Sequence, residues 1–534
     1  MARDRRRRIA PVDLLLALAV VVTVTFLGWQ LWHATRVDAL VTGIKDHGAV
    51  TLERSGSMDV RVDVHPRGRL DGSVLALDGA DLKSIATRTK LGFEWRSDKP
   101  MAAGMHKLVL TVPRPILPAS RFVWSFLVDA VPPRINVGRT LLAPIAIDAP
   151  VTVRGTVDTD STLTANGDQV DVAADGAFRV SYKRAPAGPI TLVAVDRAGQ
   201  TTIKEIFVPI RRPVTHGVHM SAISWSNRDL RAAVLDLADR GLINTVELDI
   251  KDEDGIVGWN TTVPLARKIG AVRAYYDLRD AVKQLHARKL RVIGRAVAFR
   301  DPVLARAAWS DGNRDWVLQD VKGQPLGAYG GFTNFMSAGV RKYNIDLAME
   351  AVDLGVDEIL WDYVRRPEDK KGVQMVIPGL RPNDSVEAQV AAFLTEAHVK
   401  VRSAGALQGA SVFGIAAKEP ETIGQSVPLI AKAVDYIAPM VYPSLWVPSY
   451  YHVPDPPRMP FAIVTRALED FQNQSKSTGV TIVPWLQDFS LGANYGADQV
   501  RAQVDAANGL GIKSFLLWSP RVKYHADTLD PIKR

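Results

Sequence analysis

The stretch DEILWDYVRRP, residues 357–367, decides how the C-terminal part of the chain is read. EILWDYV (358–364) is a short apolar run that ends in a carboxylate, Asp362, before Arg365, Arg366 and Pro367 break it. Runs of this length bounded by polar and breaking residues suit a strand buried on both faces. Working outward, residues 213–534 hold comparable runs: GVHMSA (217–222), NTVELDIKD (244–252), RVIGRAVAF (291–299), SVFGIAA (411–417), DYIAPMVY (435–442), TIVPWLQDF (481–489) and SFLLWS (514–519). Segments with apolar residues three and four apart lie between them, such as RDLRAAVLDLADRG (228–241), DLRDAVKQLHARK (277–289) and DQVRAQVDAANGLG (498–511). Strand and helix in alternation predict parallel βα units, and eight strands in this length predict a (β/α)8 TIM barrel. An open doubly wound sheet would place a Gly-rich phosphate loop after the first strand, and none follows Ala222.

Barrel chemistry is carried by residues at the carboxyl ends of the strands. The second run ends in Glu247, Asp249, Lys251 and Asp252, with strict alternation placing the first three on one face. The third leads to Asp301 and the fourth to Asp362, Tyr363 and Arg365. Glu419 follows the fifth, and Tyr442 ends the sixth. The seventh carries Trp485, Gln487 and Asp488, and the last contains Trp518. Glycosidic cleavage needs one carboxyl to protonate the leaving oxygen and a second to attack or to activate water. Asp362 is read as nucleophile or base and Asp249 as its acid partner, with Glu419 as a further candidate acid. Lys251, Asp252, Tyr363, Arg365, Asp301, Tyr442, Gln487, Trp485 and Trp518 are read as substrate-binding, since aromatic faces and amides suit sugar rings and hydroxyls. His219 reads as packing. No H-E-x-x-H or similar spacing occurs, so neither metal nor cofactor is expected.

The rest of the chain is differently built. Period-two alternation in MHKLVLTV (105–112) and RFVWSFLVD (121–129) predicts a β-rich module over 50–132. A second module, 135–211, contains VTVRGTV (151–157) and the turn dipeptides Asn166-Gly167 and Asp175-Gly176. It resembles the immunoglobulin-like domains appended to bacterial cell-surface proteins, and it predicts a β-sandwich. Ahead of both, in residues 1–35, Arg5, Arg6, Arg7 and Arg8 precede LLLALAVVVTVTFLGWQL (14–31), which carries no charge. That length suits a transmembrane signal anchor, with the arginines cytoplasmic and the barrel outside.

Composition narrows the function. The 534 residues include 66 Lys and Arg against 57 Asp and Glu, a net charge of +9, and much of that excess sits in the N-terminal arginine cluster. That is thin ground for a nucleic-acid partner. The absence of cysteine excludes disulfides, thiol nucleophiles and Cys-ligated metals.

Six runs in order, VELDIKDEDG, FRDPVLA, DEILWDYVRRP, PMVYPS, PWLQDFS and FLLWSP, resemble the glycoside-hydrolase-like TIM-barrel domain family of bacteria, over about residues 216–530. The resemblance implies a glycoside-hydrolase-type barrel. It places the family's acidic second-strand motif on Asp249, Lys251 and Asp252, and its fourth-strand motif on Asp362, Tyr363 and Arg365, with Arg366 standing where the pattern has Phe. The expected function is an extracytoplasmic glycoside hydrolase acting on a cell-envelope or extracellular polysaccharide. The alternative is a non-catalytic glycan-binding scaffold of the cell envelope.

Overall fold

The computed structural model describes residues 11–65, 70–114, 117–368 and 374–532. They form two compact units: 1–137 with 154–179 and 192–204, and 138–153 with 180–191 and 205–534.

In the first unit, a four-stranded and a five-stranded sheet enclose a core of Val60, Val62, Trp95, Leu108, Leu110 and Phe126. The long strands Gly104–Val112 and Ser120–Asp129 pair antiparallel, and their apolar residues alternate inward. Between 135 and 206 lie a three-stranded and a four-stranded sheet. Asn166 and Gly167 both have positive φ, at 50° and 91°, the geometry of the tight turn joining Thr162–Ala165 to Asp168–Val170. In the helix Pro11–Thr35 the Leu, Val and Phe side chains from Val12 to Leu27 are exposed. Among the described residues no helix is long and apolar enough to cross a membrane. The expected anchor is therefore not shown, and the arginine cluster lies outside the described residues.

The second unit contains the barrel. Its strands are β1 His216–Met220, β2 Thr245–Lys251, β3 Arg291–Val297, β4 Glu358–Asp362, β5 Leu407–Phe413, β6 Tyr436–Met440, β7 Trp485–Gln487 and β8 Phe515–Trp518. Each runs parallel to its neighbour, and β1 pairs with both β2 and β8, which closes the sheet. Closure removes the edges that an open sheet would expose. The helices Arg228–Asp239, Leu278–Ala287 and Ala497–Gly509 follow the expected apolar spacing, and Asn227 and Asp277 cap the first two.

The fifth strand lies four residues earlier than the apolar run suggested. Gln408 and Gly409 stand ahead of that run, yet both belong to the strand. Gln408 accepts from Trp361 Nε1 and donates to the carbonyls of Leu394 and Ala433. Gly409 leaves room for the Tyr436 ring, whose atoms lie 2.3 Å from where a Cβ would sit.

The barrel interior is packed rather than open. Ile293, Leu360, Tyr436, Ala438, Trp485 and Leu516 fill it. At the amino end of the strands, Glu358 is wholly buried between two arginines: Arg212 Nη2 donates to Oε2 at 2.6 Å and Arg291 Nη2 to Oε1 at 2.7 Å. Removing one member of such a buried network strands the charges left behind. Glu358→Ala is expected to destabilise the barrel by about 3–5 kcal/mol, read as a lower urea midpoint; an unchanged midpoint would show that Glu358 is dispensable.

Candidate active site

The catalytic end of the barrel is organised by a residue that the pattern of the sequence does not single out. Arg295 stands on the inner face of β3, in register with Asp249 on β2. Its Nη1 donates to Asp249 Oδ1 at 2.8 Å, while Nε and Nη2 donate to Asp362 Oδ2 at 2.8 and 2.7 Å. Glu253 lies 3.3 Å from Nη1. The two acids expected to cooperate therefore converge on one guanidinium, from strands β2 and β4. Both are nearly closed off, Asp249 at 2% and Asp362 at 4% exposure.

On the other side of Asp249, His219 from β1 brings Nε2 to 3.2 Å from Oδ1 and to 3.8 Å from Glu247 Oε2. Glu247 is fully buried and neither of its oxygens has a hydrogen-bond partner. One ligand atom each from His219, Glu247 and Asp249 lies within 4.8 Å of the others, close enough to share a cation.

These positions set the protons. Burial works to raise the Asp249 carboxyl, but Arg295 and His219 outweigh it and hold it down at about 2. Burial pushes Glu247 up to about 8, with His219 only partly offsetting it. Burial also pushes Asp252 up to about 6, against the pull of the Ile256 N–H on its carboxylate. Pairing with Arg295 favours the ionised form of Asp249, whereas the proton donor expected there must be protonated near neutrality.

Asp362 has a second partner in the residue that follows it, since the Tyr363 N–H donates to Oδ1 at 2.7 Å. Tyr363 reaches that geometry with φ at 46°, a strained value for a bulky residue. Strain of this kind collects at functional sites. The Tyr363 hydroxyl accepts from Arg300 at 3.1 Å. At the same end of the barrel, burial, with Asp362 nearby, raises the Tyr442 phenol well above its ordinary value. The half-buried Trp518 indole lies 5.4 Å from the Tyr442 ring.

Several expected binding residues are instead used by the fold. The register of β2 shifts after Asp249, so Lys251 leaves the inner face. It is buried, pairs with Asp301 Oδ2 at 2.7 Å and lies over the Tyr343 ring. Asp301 also caps the helix Pro302–Ser310 through the Leu304 N–H. Arg365 is buried against the rings of Tyr363 and Phe413. Trp485 donates to Ser411 Oγ inside the barrel. The Gln487 amide donates to Ser444 Oγ and the Phe489 carbonyl and accepts from the Ser444 N–H. These residues, expected as ligand contacts, find hydrogen-bond, ion-pair or ring partners within the protein. Asp252 Oδ1 accepts the N–H groups of Asp254 and Ile256 and shapes the loop after β2. Glu419 is exposed and accepts from the Tyr450 hydroxyl at 2.9 Å. It lines a separate cavity of about 890 Å3 with Lys418, Tyr451 and His452.

Reasoning from sequence missed Arg295 and the use of Glu247 and His219. A charged residue inside the apolar run RVIGRAVAF was the available signal, because a buried arginine requires partners.

A closed parallel barrel with paired acids at the carboxyl ends of its strands is a scaffold on which glycoside hydrolysis can be built. Residues 217–524 match the family described as "Putative glycosyl hydrolase domain", and the chain belongs to that family. No curated protein matches the chain. Among solved structures, it is similar to a hypothetical protein from Ruminiclostridium thermocellum ATCC 27405, at 29% identity over 36% of this chain and 96% of that one, TM-score 0.31. It is also similar to the PgaB (BpsB) glycoside hydrolase domain from Bordetella bronchiseptica, at 15% identity over 60% and 100%, TM-score 0.45. An endo-1,4-beta-D-mannanase from Thermotoga petrophila RKU-1 matches at 12% identity over 57% and 88%, TM-score 0.39.

The raised Glu247 carboxyl has a thermodynamic consequence. The folded chain keeps a proton that the unfolded chain releases above about 4.5. The stability this contributes is complete below that value and is lost as pH rises through about 8. In chelator-containing buffer, wild type is therefore expected to lose stability relative to Glu247→Gln across this window and to run parallel to it above. Parallel curves throughout would show that Glu247 is ionised in the folded chain.

Proposed function

We propose that the barrel hydrolyses glycosidic bonds of a cell-envelope or extracellular polysaccharide by carboxylate chemistry. The observation that carries this reading is the convergence of Asp249 and Asp362 on Arg295. Asp362 serves as nucleophile or base, and ionised Asp249 stabilises the positive charge that develops on the sugar ring. Asp252, in the loop that follows β2, is assigned as the acid; burial pushes its carboxyl up to about 6, toward the range in which a carboxyl donates a proton. Tyr442, Tyr363 and Trp518 offer the aromatic surface for a sugar.

The placement outside the cytoplasm rests on the arginine run and the apolar stretch after it. The exposed leucines and valines of Pro11–Thr35 support an apolar environment for that helix at the cell envelope. The 135–211 region serves as an immunoglobulin-like spacer ahead of the barrel.

One observation favours a second reading. Both acids are already paired and nearly buried, which a non-catalytic glycan-binding scaffold would tolerate. Incubation of the full chain with cell-wall and capsular polysaccharides separates the two. New reducing ends support the hydrolase, whereas saturable retention without products supports the scaffold. Asp362→Asn is expected to abolish cleavage with the melting midpoint close to wild type, because Arg295 keeps Asp249 as a partner. Cleavage at the wild-type rate would remove Asp362 from the chemistry.

A further inference from the structure

Glu247 poses a physical problem that the hydrolase reading does not solve. A carboxylate with no exposure and no hydrogen bond at either oxygen is costly to bury. It faces His219 from β1, Asp249 from its own strand, Arg295 from β3 and Asp362 from β4, with Tyr436, Tyr442 and Tyr524 beyond. The single guanidinium is committed to Asp249 and Asp362, and its Nε stands 3.9 Å from Glu247 Oε1. One guanidinium thus faces three acids, and among the described residues Glu247 is the one of them left without a hydrogen bond.

We propose that His219, Glu247 and Asp249 form a binding site for one divalent cation. Their ligand atoms already lie within 4.8 Å of one another, and β1 and β2 hold His219 and Glu247 opposite each other in register. In the metal-free chain the hydrogen bond from His219 Nε2 to Asp249 places a proton on that nitrogen; a cation displaces it, and Nδ1, which makes no hydrogen bond, is free to carry the proton the neutral ring keeps. One imidazole nitrogen with two carboxylate oxygens suits Zn2+ or Mn2+ ahead of Ca2+ or Mg2+, which favour all-oxygen sets. Arg295 then acts behind the ligands: it donates to Asp249 and stands beside Glu247, as outer partners of ligating carboxylates do. A cation here gives the unbonded Glu247 oxygens a partner and ties them to Asp249 and His219. The site is independent of whether the barrel cleaves a glycan.

The test uses the untagged full chain in detergent. Elemental analysis of the purified protein is followed by chelator treatment, then calorimetric titration with Zn2+ and separately with Mn2+, alongside thermal unfolding. Expected are one equivalent bound per chain, a higher unfolding midpoint with the ion, and binding weakened at least about tenfold in Glu247→Gln and His219→Gln. Two variants are used so that a folding defect in one leaves the other informative. Asp488→Asn, outside the cluster, should bind as wild type does. The proposal is overturned if wild type neither carries nor takes up either ion, or if both variants bind with wild-type stoichiometry and affinity.

Discussion

One guanidinium organises the catalytic end of this barrel. Arg295 reaches Asp249 with one terminal nitrogen and Asp362 with the other two donors of its fork, and Glu253 closes the remaining side. Two carboxylates this close would otherwise repel and take up a proton. A lysine could neutralise one of them, but its point charge cannot span two acceptors held by different strands, as a planar fork does. The demand propagates into the sheet. Asp249 must sit in register with Arg295, and Asp362 must end β4 where its carboxylate meets the fork's other edge. The register shift in β2 comes immediately after the residue this geometry fixes.

The barrel itself was legible because its strands are short apolar runs with polar ends, and because helical periodicity fills the gaps. Strand five was displaced for a specific reason: Gln408 and Gly409 look like a break, while their buried partners, Trp361 and Tyr436, lie on other elements that no local pattern connects to them. Lys251 was given the wrong face by the same logic that placed Asp249 correctly. Alternation holds only while the register does, and a shift of one residue sends the next side chain outward into the helix layer. Asp362 was read as nucleophile or base with no arginine partner assigned to it. Its partner comes from β3, 67 residues earlier.

The expected sugar contacts divide according to what a packed interior allows. A buried amide or indole N–H must be satisfied within the protein. Gln487 and Trp485 met that requirement with Ser444, Phe489 and Ser411, and so have little left for a ligand. Asp301 and Lys251 satisfied each other. Trp518 and Tyr363 keep partly exposed surfaces at the catalytic end, and Tyr442 lies beside Trp518. Residue type alone cannot separate these groups, because the same side chains serve either purpose.

Pairing acids inside a barrel is a poor way to gain stability. Apolar residues of similar volume would often do as well or better, and Tyr363 adds a strained backbone beside Asp362. The arrangement makes sense for a ligand on which positive charge appears. An ionised pair already oriented and partly stripped of water needs no reorganisation when that charge develops. A sugar ring passing through an oxocarbenium-like state meets this description, and so does a metal ion held beside Asp249. The two differ in depth. Asp362 retains a small opening at the end of β4, whereas Glu247 has none. Asp362 therefore suits the transient charge of a reaction, and the fully enclosed Glu247 a resident one.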